Sequence, residues 1–267
     1  MTKQAWKQTV VITGAGSGFG AALALKYARA GWDVAVTDID KDRAEQTLSD
    51  LSEPGGKGFA MRLDITNADE WQQLNDAVMT RWGGLQLLIN NAGVATAGNI
   101  EDTSIEDWLW VLDINLMGVV RGCRQFVGTM KKQGGGHIVN VSSFAGLAGL
   151  PFVSSYGVAK AGVVALSEAL RAEMHPFGVG VTVVCPAFVK TALLDTFRTN
   201  EEGTKDLVSK WMETSRVTSE QVADEIIKAV EKNKFLLLTH THTRIAWRLK
   251  RWLPERYFKS VLATQKS

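Results

Sequence analysis

Hydrophobic and polar positions fall along the chain in blocks of two alternating kinds. Short β-branched or apolar runs have the length and composition of buried strands: Thr9–Thr13, Asp33–Thr37, Gly58–Leu63, Leu85–Ile89, the run through Ile138, Val139 and Val141, Gly178–Cys185 and Phe235–Thr239. Longer stretches between them read as helices: Ala21–Ala30, Lys41–Leu51, one capped by Asn67 or Thr66 and reaching Trp82, one from the cap Ser104 to about Lys132, one from Tyr156 to about His175, and one capped by Ser219 and ending at Lys232. Gly31, Pro54-Gly55-Gly56, Gly83-Gly84 and Gly134-Gly135-Gly136 punctuate them. No repeat or low-complexity block divides the chain. Strand alternating with helix predicts the α/β class: a single-domain Rossmann-type doubly wound parallel sheet of about seven strands, helices on both faces.

Two stretches depart from this rhythm. Residues 187–217 are unevenly patterned, with Leu193, Leu194, Phe197, Trp211 and Met212 expected to be exposed in weak helices, and read as a substrate lid. Residues 241–267 form a basic C-terminal extension to a body spanning 1–240. Within it, Thr243–Leu253 puts Ile245, Leu249, Trp252 and Leu253 near one face and Arg244, Arg248, Lys250 and Arg251 elsewhere, until Pro254 breaks it. Such a helix can lie on an anionic membrane surface, dock on a partner subunit or roof a pocket.

Composition narrows the class without naming a chemistry. The 267 residues are 45% hydrophobic and 22% charged, enough for a sizeable core, and a net charge of +2 gives no reason to expect nucleic acid. Cys123 and Cys185, the only cysteines, sit in apolar segments and read as buried thiols of a reducing compartment. The polar start and the lack of a membrane-length apolar run make a cytoplasmic protein the expectation. No metal site is expected.

The chemistry lies where strands end. Thr9–Thr13 runs into Gly14-Ala15-Gly16-Ser17-Gly18-Phe19-Gly20 and then a helix, an arrangement that turns backbone N–H groups and a helix N-terminus toward a phosphate. Asp38 ends the next strand, eighteen residues after Gly20, where a dinucleotide fold holds the adenosine ribose. Its carboxylate would repel a 2′-phosphate and the next residue is Ile39, so NAD is favoured over NADP; Asp40 is the better helix cap, leaving Asp38 for the ribose. Asp64, Asn90 and Ser143 end further strands. Tyr156 and Lys160, four apart, share a helix face, so the ammonium is expected to favour the phenolate and let the phenol move a proton to or from an alcohol. A serine at the end of the neighbouring strand, Ser142 or Ser143, could hold the same oxygen. Asn115 sits in the apolar stretch Val111–Val120, where its amide needs partners, from neighbouring backbone or otherwise.

As a set, these residues make the chain resemble a short-chain dehydrogenase/reductase over roughly residues 7–240. TGAGSGFG (Thr13–Gly20) is similar to that family's cofactor-binding TGxxxGxG, and NNAG (Asn90–Gly93) to its fourth-strand motif. Asn115, Ser143, Tyr156 and Lys160 match its catalytic tetrad, with Ser143 preferred to Ser142 by its spacing from Tyr156. The resemblance implies that Gly14, Ser17, Gly18, Phe19 and Gly20 line the pyrophosphate and adenosine end. It implies that Asp38 binds the adenine ribose, Asp64 and Ile65 flank the adenine, and Asn91, Ala92 and Gly93 run beneath the central cofactor. Lys160 would hold the nicotinamide ribose and Asn115 a water linking Lys160 to solvent. Pro186, Val189 and Thr191 would close over the nicotinamide, with Ala187 replacing the usual glycine.

The implied reaction is reversible oxidation of an alcohol, with Tyr156 as general base and Ser143 fixing the reacting oxygen. The residues expected around the substrate are Val94, Ser143, Phe144, Leu147, Leu150, Phe152, Phe188 and Leu193. Apart from Ser143 all are apolar, which suits a hydrophobic secondary alcohol or ketone: steroid-like, retinoid-like, aryl or long-chain. Rival expectations are a reductase of acyl-carrier-protein thioesters, against which Asp38 speaks, and a non-catalytic dinucleotide-binding sensor or scaffold, against which the complete tetrad speaks. The resemblance also implies a homodimer or homotetramer through the helices at 104–132 and 154–175.

Overall fold

The computed structural model describes residues 8–51, 57–189, 192–201, 203–215 and 217–264. In chain order its elements are β1 (Thr9–Thr13), α1 (Gly18–Arg29), β2 (Asp33–Asp38), α2 (Lys41–Asp50), β3 (Gly58–Arg62), α3 (Ala68–Trp82), β4 (Leu87–Asn90) and β5 (Thr96–Ala97). Then come α4 (Ile105–Leu112), α5 (Gly118–Gln133), β6 (Gly136–Val141), α6 (Ala145–Ala148), α7 (Ser154–Met174) and β7 (Val179–Val184). The chain ends with β8 (Arg198–Thr199), α8 (Thr204–Glu213), α9 (Ser219–Glu231), β9 (Leu236–Leu237), α10 (Thr241–Trp252) and α11 (Pro254–Thr264).

Seven strands form one parallel sheet in the order β3-β2-β1-β4-β6-β7-β9. The order reverses between β1 and β4, the crevice at which such sheets bind ligands. Strand periodicity divides the core. Val10, Ile12, Val34, Val36, Leu87 and Ile89 face one way, under Leu23, Ala28, Val222 and Ile226 of α1 and α9. Val11, Ala35, Leu88, Ile138 and Val181 face the other, under Trp71, Phe126, Met130, Val163 and Met174 of α3, α5 and α7. With both faces covered, the strands must be apolar throughout, which is why they read as runs rather than alternations. This is the architecture that the alternation of blocks predicts.

The caps follow hydrogen-bonding capacity. Asp40 Oδ1 accepts the N–H groups of Asp42 and Arg43, and Asn67 Oδ1 those of Asp69 and Glu70. The last sheet-covering helix departs from expectation: its cap is Thr218, not Ser219, because Thr218 and Gln221 form a reciprocal capping box. The long helix from Ser104 is broken. Residues Asp113–Met117 form a π-helical turn between α4 and α5, with Asn115 at its centre. The parallel pair β5–β8, two residues each, was not legible from periodicity.

The irregular stretch after β7 is less exposed than its pattern implies. Leu193, Leu194 and Phe197 are half-buried and Met212 is buried, while the side chain of Trp211 and all of Thr191 lie outside the described residues. The return strand β8 is pinned: Arg198 stacks its guanidinium 3.7 Å from the Trp110 ring centroid and reaches Asp107 at 3.1 Å. No described helix is long and apolar enough to cross a membrane.

Candidate active site

The site is assembled at the carboxyl edge of β1, β2, β4, β6 and β7. After β1 the chain turns at Gly14 with φ +63, and a Cβ there would lie 2.8 Å from Ala92 Cα. A Cβ on Gly20 would collide with Gly14 O, so the start of α1 presses directly on the turn. Asn91 braces this turn from β4: its Nδ2 donates to Thr13 O at 2.9 Å and Gly14 O at 3.1 Å. The N–H groups of Asn91 and Ala92 both donate to Thr13 Oγ1 at 3.0 Å. Ser17, at the N-cap of α1, makes no capping bond with its side chain, and Phe19 packs against the first core face. The result is a rigid cradle of close-approaching backbone at a helix N-terminus, as a bound pyrophosphate requires.

Asp38 stands beside the cradle. Its Oδ2 accepts Gly16 N–H at 2.9 Å and its Oδ1 accepts Asp40 N–H at 3.1 Å. A carboxylate has about four acceptor positions, so a ribose diol can still be held. The nearest cation on α2, Arg43, is engaged by Asp40 at 3.4 Å and Asp195 at 3.5 Å. These residues fit the adenosine end of a dinucleotide. Asp64 and Ile65 fit it less directly. Asp64 Oδ1 accepts from Thr66 N–H and Oγ1, and Ile65 is buried in the core, where a Cβ on Gly118 would touch it.

The reacting end is built from β6, α7 and the turn at Asn115. Ser143 Oγ accepts Ala145 N–H at 3.2 Å, and its hydroxyl lies close enough to the Tyr156 phenol to act on it electrostatically. Lys160 is buried, its Nζ 5.8 Å from the Tyr156 ring centroid and donating to Val141 O at 3.1 Å. A Cβ on Gly93 would lie 2.8 Å from Asn115 Oδ1 and 3.3 Å from Lys160 Nζ; glycine keeps the way open between the cradle and this pair. Phe144 N–H donates to Pro186 O at 2.8 Å, joining the serine loop to the segment after β7. The structure therefore brings Ser143, Tyr156, Lys160 and Gly93 together within reach of the glycine turn.

The electrostatics correct one expectation. Burial raises the Tyr156 phenol above its ordinary value, against the lowering pull of the Ser143 hydroxyl. Burial also lowers the Lys160 ammonium to about 8. In the cofactor-free chain desolvation is the largest influence, so the phenol is neutral at physiological pH. Asn115 is fully buried, its Oδ1 accepting Val94 N–H and its Nδ2 donating to Val94 O, both at 2.8 Å. These two bonds use one lone pair and one N–H of the amide and fix the strand-end loop that carries Gly93.

Three contacts of the site escaped the sequence reading. Ser142 Oγ donates to Lys160 O at 2.7 Å, fixing the helix turn that carries the lysine. Cys185 is buried near Lys160, and burial pushes its thiol up to about 12 despite that cation. His240 Nδ1 accepts Ala187 N–H at 3.4 Å. A serine pair, a lone thiol and a histidine beyond a strand carry no spacing signal for these contacts. Of the apolar residues expected around the substrate, Val94 is buried. Phe144, Leu147, Leu150 and Leu193 are half-buried, and Phe152 and Phe188 are exposed. Among the described residues no group of three His, Cys, Asp or Glu side chains is placed to hold a metal.

Comparison with known proteins agrees with this geometry. The profile of the family described as short chain dehydrogenase matches residues 8–202. A probable oxidoreductase, EphD, of Mycobacterium tuberculosis is 37% identical over 234 residues, 84% of this chain and 40% of that protein. The chain thus spans well under half the length of that relative. The cyclopentanol dehydrogenase of Comamonas testosteroni is 32% identical over 186 residues, 70% of this chain and 74% of that protein. A short-chain dehydrogenase/reductase from Burkholderia phymatum, solved in complex with NAD, is 33% identical with a TM-score of 0.87, covering 92% of this chain and 93% of that one.

Proposed function

Because the chain belongs to the short-chain dehydrogenase/reductase family, we propose that it is an NAD-dependent dehydrogenase that interconverts a hydrophobic secondary alcohol and its ketone. The carrying observation is the meeting of Tyr156, Ser143 and Lys160 beside a glycine cradle. Bound nicotinamide supplies the hydride chemistry. Tyr156 takes the alcohol proton, Ser143 holds the reacting oxygen, and Lys160 holds the nicotinamide ribose and stabilises the phenolate. Asn115 positions Gly93 through Val94. Gly14, Ser17, Gly18, Phe19, Gly20, Asn91 and Ala92 form the pyrophosphate cradle, and Pro186, Val189 and Thr191 close over the nicotinamide.

The substrate reading rests on the apolar character of Val94, Phe144, Leu150, Phe188 and Leu193, and on the cyclopentanol dehydrogenase relative. Cyclic secondary alcohols are the first class to assay. Residues 187–217 are proposed as the lid, hinged against Trp110 and Asp107 through Arg198. A homodimer or homotetramer is supported by the exposed Ile105, Leu109 and Met117 along the α4 segment and Val158 on α7.

Cofactor choice is tested by Asp38→Asn, which removes the charge and keeps an acceptor oxygen for one of the two N–H groups, of Gly16 and Asp40, that Asp38 holds. The ratio of kcat/KM for NAD to that for NADP is expected to fall at least tenfold, roughly the worth of one charge-assisted hydrogen bond and the relief of one repulsion. An unchanged ratio, or a parent enzyme that prefers NADP, would contradict the assignment of Asp38.

A further inference from the structure

The C-terminal helix pair presents two unlike faces. Its inner face is docked. Thr243 is buried, Trp247 packs against the second core face, and Tyr257 is buried. Lys250 Nζ donates to Leu147 O at 2.7 Å, tying α10 to α6, just after Ser143. The outer face is apolar and open. Ile245 is 64% exposed and Trp252 77%, and Leu253, Phe258 and Leu262 are exposed as well. Ile245, Leu249 and Trp252 lie at helical spacing on one side of α10, and Phe258 and Leu262 on one side of α11. Such density of exposed aromatic and aliphatic side chains calls for a partner.

Charge decides which partner. Residues 241–267 carry seven of the 30 basic residues of the chain and one of its 28 acidic ones. Arg248 lies between Ile245 and Trp252 on the outer side of α10, and Arg256 and Lys259 are exposed on α11; at the margin, Arg244 donates to Leu238 O at 2.9 Å and lies 3.9 Å from Glu225, and Arg251 lies over the Trp247 ring. A two-fold contact between copies would set this cationic face against itself. The arrangement suits a surface that is anionic at its rim and apolar just beneath, where tryptophan sits at the boundary.

We infer that α10 and α11 dock the protein on anionic phospholipid bilayers, with Ile245, Trp252, Leu253, Phe258 and Leu262 entering the headgroup boundary and Arg248, Arg256 and Lys259 meeting lipid phosphates. Because Lys250 ties the inner face of α10 to Leu147 of α6, the helix pair stands between the bilayer and the residues around Ser143. On the reading of an apolar alcohol as substrate, this places the enzyme where such a substrate dissolves.

The test is flotation of the full-length protein with vesicles of phosphatidylcholine alone or with 30% phosphatidylglycerol, at low salt and at about 0.5 M NaCl, where charge screening is strong. Binding to the anionic vesicles is expected to exceed binding to neutral ones at least tenfold and to weaken in salt. The double variant Trp252→Glu, Phe258→Glu should lose it at least tenfold while NADH binding in solution stays within twofold. Equal flotation with both vesicle types, no flotation, or a variant that floats like the parent would overturn the inference. So would size-exclusion chromatography showing that the double variant dissociates an oligomer, which would mark the face as a protein contact. Flotation does not depend on turnover, so its failure is distinct from failure of the dehydrogenase reading.

Discussion

Tyr156→Phe is expected to lower kcat for alcohol oxidation about 10³-fold, within the range that a positioned general base contributes, and to leave the Kd for NADH within threefold. The substitution removes one oxygen and keeps the ring, so α7 and its contacts should persist. The pH profile carries a further signature. Since burial holds the phenol neutral and above its ordinary value in the free chain, kcat/KM for oxidation should climb as pH rises into the alkaline range, and reduction should show the opposite slope. A variant that retains most of its turnover, or a flat profile between pH 6 and about 10, would remove Tyr156 from its assigned role.

Lys160→Met should separate stability from activity. The ammonium is buried and lowered to about 8 from an ordinary 10.5, which corresponds to roughly 3 kcal/mol of unfavourable burial at neutral pH. The sign follows from proton counts. Below pH 8 both states hold the proton and the penalty is full; between about 8 and 10.5 the unfolded chain holds more protons, so the folded state recovers stability as pH rises; above 10.5 the penalty is gone. Methionine of similar length removes the charge, so Tm at pH 7 should equal or exceed that of the parent. The margin should shrink toward pH 10.5. Turnover should nevertheless fall about 10²–10³-fold, because the phenolate and the nicotinamide ribose lose their cation. A Tm lowered by more than about 5 °C, a large shift for a chain of this size, or near-normal turnover would contradict this division of labour.

Much of this framework was legible in the residues because its determinants are local. Buried parallel strands must be apolar on both faces, and the runs at 9–13, 33–37 and 179–184 declare themselves by β-branching. The choice of Asp40 over Asp38 as cap follows from its offset to the helix, and the structure shows it. The misses depend on contacts distant in sequence. The π-helical turn that carries Asn115 to Val94, 21 residues earlier, has no signal in the periodicity. Pairing of β5 with β8 joins Thr96 to Arg198, and two residues are too few to form a pattern. Met212 is buried although its helix looked solvent-facing. Thr218 displaced Ser219 as cap because only Thr218 has a glutamine three residues on. The phenol was misjudged for a different reason: desolvation depends on enclosure, which spacing along a helix does not report.

The most direct test of the central claim follows a hydrogen rather than a rate. Cyclopentanol deuterated at its carbinol carbon is incubated with the protein and NAD, and the dinucleotide product is analysed by mass spectrometry. Transfer of one deuterium to the nicotinamide ring, with cyclopentanone formed in equal amount and both lost in Tyr156→Phe, is the result expected. Reduced cofactor without deuterium would contradict direct hydride transfer between alcohol and nicotinamide. A panel of cyclic, aryl and long-chain secondary alcohols that yields no reduced cofactor with either NAD or NADP would contradict the dehydrogenase assignment itself.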